Sequence, residues 1–476
     1  MSQTQKIMPE KTPATTPGTT SKSTDRIGTD KISKLLWDFS IPAIIGMLVN
    51  ATYNIVDRIY VGQGVDPLGI AGITLVMPVM MVIQALSMLI GIGANSLFAI
   101  RLGEGRSDEV EKIMGHAFVL IFAIPFVGIS LCFAFIDPML TQVLGASEQV
   151  LPYAKTYLQI ILYGSVFAAM GPGINHFIRS DGHPRMSMTT QIIGAGCNII
   201  LDPIFIFGFG WGIAGAAWAT VISQFVSFVW VMWYWNSSLT PLRFRVKYMC
   251  LKIPLVVKVL SIGFAPCAMQ FALSFINIMM NNELVKYGGD IAVTAVGIMY
   301  SILIVVVMAI QGLNSGAQPL IGYNFGAQKY DRVRSCFRLT LVCATMILTF
   351  SWALIQLFPA FFIGIFTKDK GELLELSIHC MRTCTIMFPI IGVQIVSSSY
   401  FLAVGKPFQS TLISLSRQFL FYLPALATLP RFFGLTGVFS AMPVSDVCAV
   451  TLTSIFILAE WKKLKKMETE QEKRVD

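Results

Sequence analysis

The chain has 476 residues, 55% of them hydrophobic and only 13% charged, with a mean hydropathy of +0.68. Soluble domains carry about 25% charged residues, so most of this chain belongs in lipid. The net charge of +9 raises nucleic acid as a partner, but the placement of the charges excludes that reading, as shown below. Nine cysteines form no CxxC pair and no Cys/His cluster. Cys197, Cys267, Cys343 and Cys448 sit in apolar runs, where free Cys behaves as a small hydrophobe. Neither a disulfide framework nor a metal centre is expected.

Residues 1–33 are polar and rich in Thr, Ser, Pro and Lys. They lack the 7–15-residue apolar stretch of a signal peptide and read as a disordered tail. Beyond them, runs of ~20 apolar residues mark membrane helices. Twelve are expected, at 37–61, 68–100, 113–136, 152–178, 188–209, 212–236, 255–285, 291–322, 339–358, 373–402, 410–430 and 434–460. Pro78, Pro125, Pro266 and Pro389 are candidate kink points.

Lys and Arg placement sets the orientation. With the amino terminus inside, 27 of the 35 basic residues fall on that side and five on the other, Lys155, Lys286, Lys368, Lys370 and Arg431. Arg58, Arg382 and Arg417 fall within helices. This asymmetry predicts two cytoplasmic termini and explains the basic excess without nucleic acid.

The chain also repeats itself. ANSLFAIRLGEGRSDEV at 94–110 matches AQPLIGYNFGAQKYDRV at 317–333, pairing Gly103 with Gly326 at an offset of 223. The same offset brings Gly182-His183-Pro184 onto Gly405-Lys406-Pro407. Each repeat holds an even number of helices, so both halves have one orientation and a pseudo-two-fold along the membrane normal, a transporter arrangement. The expected fold class is an all-α membrane protein of two six-helix bundles. The expected division is an amino lobe at 34–236, a linker at 237–254, a carboxyl lobe at 255–460 and a charged tail at 461–476.

Intramembrane polar residues locate the chemistry. Asn198 and Asp202, at i and i+4, share one helix face. An acid in so apolar a helix costs at least ~2.5 kcal/mol and faces a partner or a water-filled cavity. Counting ~1.5 Å per residue from the external helix ends puts Asp57 about 7 Å deep, Asp202 about 10 Å and Thr220 about 12 Å. Two carboxylates, an amide and a hydroxyl at one depth suit a hard-oxygen Na⁺ site or an acid pair that takes up H⁺. Beyond such an ion, no cofactor is expected.

At these residues the chain resembles the MATE (multidrug and toxic compound extrusion) transporters, and their prokaryotic DinF-like branch fits best. The similar stretches are YNIVDRIYVG, the NxxxDP at Asn198–Pro203, the GxxGAAxAT opening of the sixth helix, and the Gly-rich loops at 101–110 and 324–333. The resemblance spans residues 34–460. It implies a V-shaped pair of six-helix lobes in the bacterial cytoplasmic membrane. It also implies antiport of small organic, cationic amphiphilic compounds against Na⁺ or H⁺, with membrane lipid as the surroundings and the monomer as the working unit. In that branch the positions matching Asp57, Asn198, Asp202 and Thr220 are associated with cation coupling. Relatives often carry Thr where this chain has Arg58; a fixed charge there would disfavour protonation of Asp57, unless it points to the external interface.

The second half does not copy this site. Its intramembrane charges are Glu283, Arg382, Arg417 and Asp446. Arg382 and Asp446 fall at similar depth and are expected to form a structural ion pair. Met77, Met80, Met81 and Met88, with Met279, Met280, Met299 and Met308, are candidates to line an adaptable cavity. The competing transporter reading, a flippase for lipid or lipid-linked oligosaccharide, would place more cationic residues inside the helices. The DRxGRR-like loop of a major-facilitator carrier is absent from RLGEGRSDEV. GxSxG, HExxH and Gly-rich nucleotide motifs are absent too, so no enzyme is expected.

Overall fold

The computed structural model describes residues 22–367 and 371–475. Among them every regular element is helical. The elements that matter here are α1 (Lys22–Thr29), α2 (Ile32–Gly64), α3 (Pro67–Gly103), α4 (Ser107–Ala134), α5 (Leu151–Ser180), α6 (Pro184–Pro203) and α7 (Gly212–Asn236). They continue with α8 (Ile253–Gly326), α9 (Tyr330–Leu357), α10 (Glu372–Thr385), α11 (Phe388–Ala403), α12 (Pro407–Leu415) and α13 (Leu423–Val475).

Nine stretches of the described residues are long and apolar enough to cross a membrane as single helices. Two are far too long for one crossing. The 74 residues of α8 would measure about 110 Å at ~1.5 Å per residue, against a hydrocarbon core of ~30 Å. That helix breaks at Gly289 (φ 61°, ψ −162°) and α13 breaks at Gly434 (φ 56°, ψ −136°). Only glycine enters these backbone regions freely. Helices α10 and α11 are bent by 52° and together form one broken span. With those breaks counted, the described residues hold twelve apolar spans of membrane-crossing length. The α10–α11 bend falls just before Pro389, which disfavours helix in the residue ahead of it; the helices run through Pro78, Pro125 and Pro266 unbroken.

The pseudo-two-fold is visible in the packing between halves. A Cβ on Gly103 would sit 1.9 Å from the Tyr323 carbonyl oxygen, and one on Gly326 would sit 2.0 Å from that of Ile100. Both pairs are related by the 223-residue offset, and such reciprocity defines an isologous contact. It recurs one step deeper, where Gly93 meets Gly263 and Gly316 meets Ser40. All these contacts lie in the half of the spans nearest the two termini. Farther out, Ile55, Ile59, Phe275 and Ile278 on the matching helices are exposed.

The lobes also exchange helix starts. Leu36 and Phe39 pack into the core of the second lobe, and Val259 and Ile262, at the same offset, pack into the first. A cut between lobes at residues 237–254 therefore follows the chain but not the packing. Two boundaries are corrected. The disorder expected through residue 33 does not hold for residues 22–33, because α1 buries Ile27 and Thr24; residues 1–21 lie outside the described residues, as do Lys368 and Lys370. The charged tail continues α13 as helix, held to α9 by an Arg334–Glu468 ion pair of 3.0 Å and by Trp461 against Phe337.

Close approach at the axis gives a test. Gly103→Ala must displace backbone atoms, and overpacking of this kind costs ~1–3 kcal/mol. The expected result is a lower unfolding temperature in detergent for Gly103→Ala, with Gly128→Ala, which meets nothing within 4 Å, unchanged.

Candidate cation site in the first lobe

Small residues let the three helices that carry the site approach closely along their length. Gly46 of α2 lies against the Gln191 side chain of α6, and Gly215 of α7 lies against the backbone of Phe205. In membranes such small residues let helices approach closely. Pro203 has no N–H, and the helix widens to a π-turn over Ile204–Gly208 directly after it. The chain then reverses through Gly210 (φ 67°) and Gly212 (φ 53°), both left-handed.

This folding brings the Asp57 carboxyl of α2 beside that of Asp202 on α6, near enough for the two groups to interact directly. Asp202 is fully buried and Asn198 nearly so. The Asn198 amide donates from Nδ2 to Asp202 Oδ1 at 3.3 Å, as their i, i+4 spacing allows. Among the described residues, Asp202 Oδ2 and Asn198 Oδ1 are buried acceptors with no donor. Two carboxyl groups stay this near only when a proton or a cation lies between them, since paired like charges in low dielectric repel. Oxygen acceptors of this kind fit Na⁺ as well as H⁺.

Thr220 of α7 is half-buried, and its hydroxyl donates to the Ala216 carbonyl at 3.0 Å. No hydrogen bond joins it to the acids among the described residues. Arg58 is exposed and forms no ion pair among the described residues; successive helix positions point about 100° apart, which turns it away from Asp57. Two residues escaped the sequence reading. Tyr53 and Tyr157 lie within electrostatic range of both acids. Tyr53 was detectable, since it precedes Asp57 by four residues; Tyr157 on α5 carries no such signal.

The second lobe requires a correction. Asp446 does not pair with Arg382. Its Oδ1 accepts from Arg417 Nε at 2.7 Å, while Arg382 is exposed and donates to the Gln356 carbonyl at 3.2 Å. Arg417 sits in the wide turn Ser416–Tyr422, which shifts its direction from that of a regular helix. The methionines divide as well. Met81 is exposed and accepts from Ser274 across the lobes at 3.8 Å. Met280 is buried and accepts from Tyr300 and Tyr422 at 3.6 and 3.4 Å, so it is core rather than cavity wall. Met299 is also buried, Met279 packs against the second-lobe core, and Met80 packs in the first lobe. Met77 is half-buried.

The sequence matches the MatE family model over residues 42–204 and 266–426. The chain belongs to the MATE family. Its members are transporters, not enzymes. Among its relatives are the multidrug export proteins MepA of Staphylococcus aureus (strain NCTC 8325 / PS 47) and of Staphylococcus haemolyticus (strain JCSC1435). The first is 25% identical over 428 residues, 90% of this chain and 94% of that protein. The second is 25% identical over 419 residues, 88% of this chain and 92% of that protein. The fold is that of solved MATE structures. An outward-facing multidrug resistance MATE transporter of the MOP superfamily superimposes with a TM-score of 0.87 at 23% identity, covering 94% of this chain and all of that one. A MATE in a bent conformation gives 0.88 at 23% identity, with the same coverage.

Proposed function

We propose that this MATE protein is a secondary active multidrug efflux antiporter of the bacterial cytoplasmic membrane, with both termini cytoplasmic. It exports organic, cationic amphiphilic compounds in exchange for H⁺ or Na⁺ and works as a monomer. The observation that carries the reading is the juxtaposition of half-buried Asp57 with fully buried Asp202, with Asn198 hydrogen-bonded to Asp202. An acid pair that must hold a cation in one arrangement of the helices, and can lose it in another, supplies the differential affinity that drives a conformational change. The MepA relatives, named as multidrug export proteins, support multidrug export.

Reconstituted protein, given a cationic amphiphile and then a pH gradient and a Na⁺ gradient separately, should accumulate the compound against its gradient in one arm. Equal accumulation with neither gradient would exclude antiport. Accumulation of a lipid-linked oligosaccharide instead would favour the flippase reading.

A further inference from the structure

Helix α1 lies outside the residues that match the family, which begin at 42, and it takes no part in the acid site. Its position is nevertheless specific. The chain runs from it into α2 of the first lobe, yet Ile27 is buried in the core of the second lobe alongside Leu35 and Leu320. The carbonyls at the end of a helix lack intrahelical partners and carry partial negative charge. Here the second lobe satisfies them. Arg332 donates to the carbonyls of Ile27 at 3.0 Å and Asp30 at 2.7 Å, Lys329 to that of Gly28 at 2.8 Å, and Asn324 to that of Ile27 at 3.2 Å.

The other end of α1 touches the first lobe. Thr24 donates to the Asp181 carbonyl at 3.3 Å, and both residues are buried. The turn at 181–183, between α5 and α6, is itself fixed, because the Tyr234 hydroxyl of α7 donates to Asp181 Oδ2 at 2.7 Å. The helix thus spans the seam on the side where Gly103 and Gly326 close the lobes together.

We infer that α1 is a strap that ties the two lobes shut on the terminus side and must let go of the 181–183 turn before they part there. The inference rests on the alternating-access reading of the antiporter. A helix that only capped the second lobe would need Arg332, Lys329 and Asn324 but not the Thr24 link.

The test uses the full chain in lipid nanodiscs with no drug and no ion gradient, so failure of coupled transport leaves it untouched. Hydrogen–deuterium exchange is read at the seam, residues 92–103 and 314–326, and at α1. Thr24→Val removes the hydrogen bond from α1 to the Asp181 carbonyl and leaves the second-lobe contacts intact. It should speed exchange at the seam about fivefold, the equivalent of one ordinary hydrogen bond, while α1 stays protected on the second lobe. Thr24→Ser should restore slow exchange. Ile27→Asp should release α1 and speed exchange at the seam further, with residues 438–455 of α13 reporting that the lobe remains folded. Unchanged seam exchange in Thr24→Val overturns the strap and leaves α1 as a cap on one lobe. That variant keeps the test decisive even where Ile27→Asp fails to fold.

Discussion

Asp202→Asn is expected to lower gradient-driven efflux on the order of 5–150-fold, the range of ordinary coupling free energies, while substrate binding in detergent changes little. Asp57→Asn should do the same. An amide keeps the volume and one acceptor but can neither give up a proton nor offer charge to Na⁺. The two acids interact directly, so their effects should not add: the double variant should be no worse than either single one, as for groups acting as a unit. Thr220→Ala should cost only a few-fold, because its hydroxyl already serves the Ala216 carbonyl and water can replace it. The measurement is uptake into proteoliposomes under an imposed gradient, set beside equilibrium binding of the same compound. Normal uptake by both Asp→Asn variants would end the proposal that this pair couples transport.

The second large effect concerns stability. Arg417→Met should destabilise the second lobe by about 3–5 kcal/mol, the usual cost of leaving one member of a buried ion pair alone. Asp446 is fully buried, and among the described residues its Oδ2 has no donor even with Arg417 present, so none of them is placed to compensate its charge. For a lobe of about 200 residues, that loss corresponds to a fall in Tm on the order of 10 °C. The double change Arg417→Met with Asp446→Leu should recover most of it, since a hydrophobic pair can replace a buried ion pair at little cost. Arg382→Met should stay within about 0.5 kcal/mol, as surface substitutions do. A large loss in Arg382→Met with none in Arg417→Met would reinstate the pairing expected from depth alone.

That misassignment shows where a sequence stops being informative. Arg382 and Asp446 are at comparable depth, and depth is a one-dimensional quantity set by the helix rise. Pairing also needs direction around the helix axis, and the wide turn at Ser416–Tyr422 turns Arg417, not Arg382, toward Asp446. The methionines repeat the lesson. Spacing put Met81 and Met280 in one class, yet Met81 is exposed and Met280 is core.

By itself the sequence determined the membrane class and the internal repeat, and it singled out Asp57, Asn198 and Asp202, whose coupling role is the proposal made above. Each of these follows from local rules: apolar run length, the cost of a charge in lipid, and the 3.6-residue period that aligns i with i+4. The residues carrying the family resemblance lie in the same segments. Tertiary structure alone decided that Tyr157 joins the acids, that Asp446 takes Arg417, that helix starts are exchanged between lobes, and that α1 docks across the seam. The polar, Thr-rich start of the chain gave no apolar run to announce a docked helix. One buried isoleucine and carbonyls capped by residues some 300 positions away were enough to hold it. Such contacts depend on which surfaces packing brings together, and no local pattern encodes them.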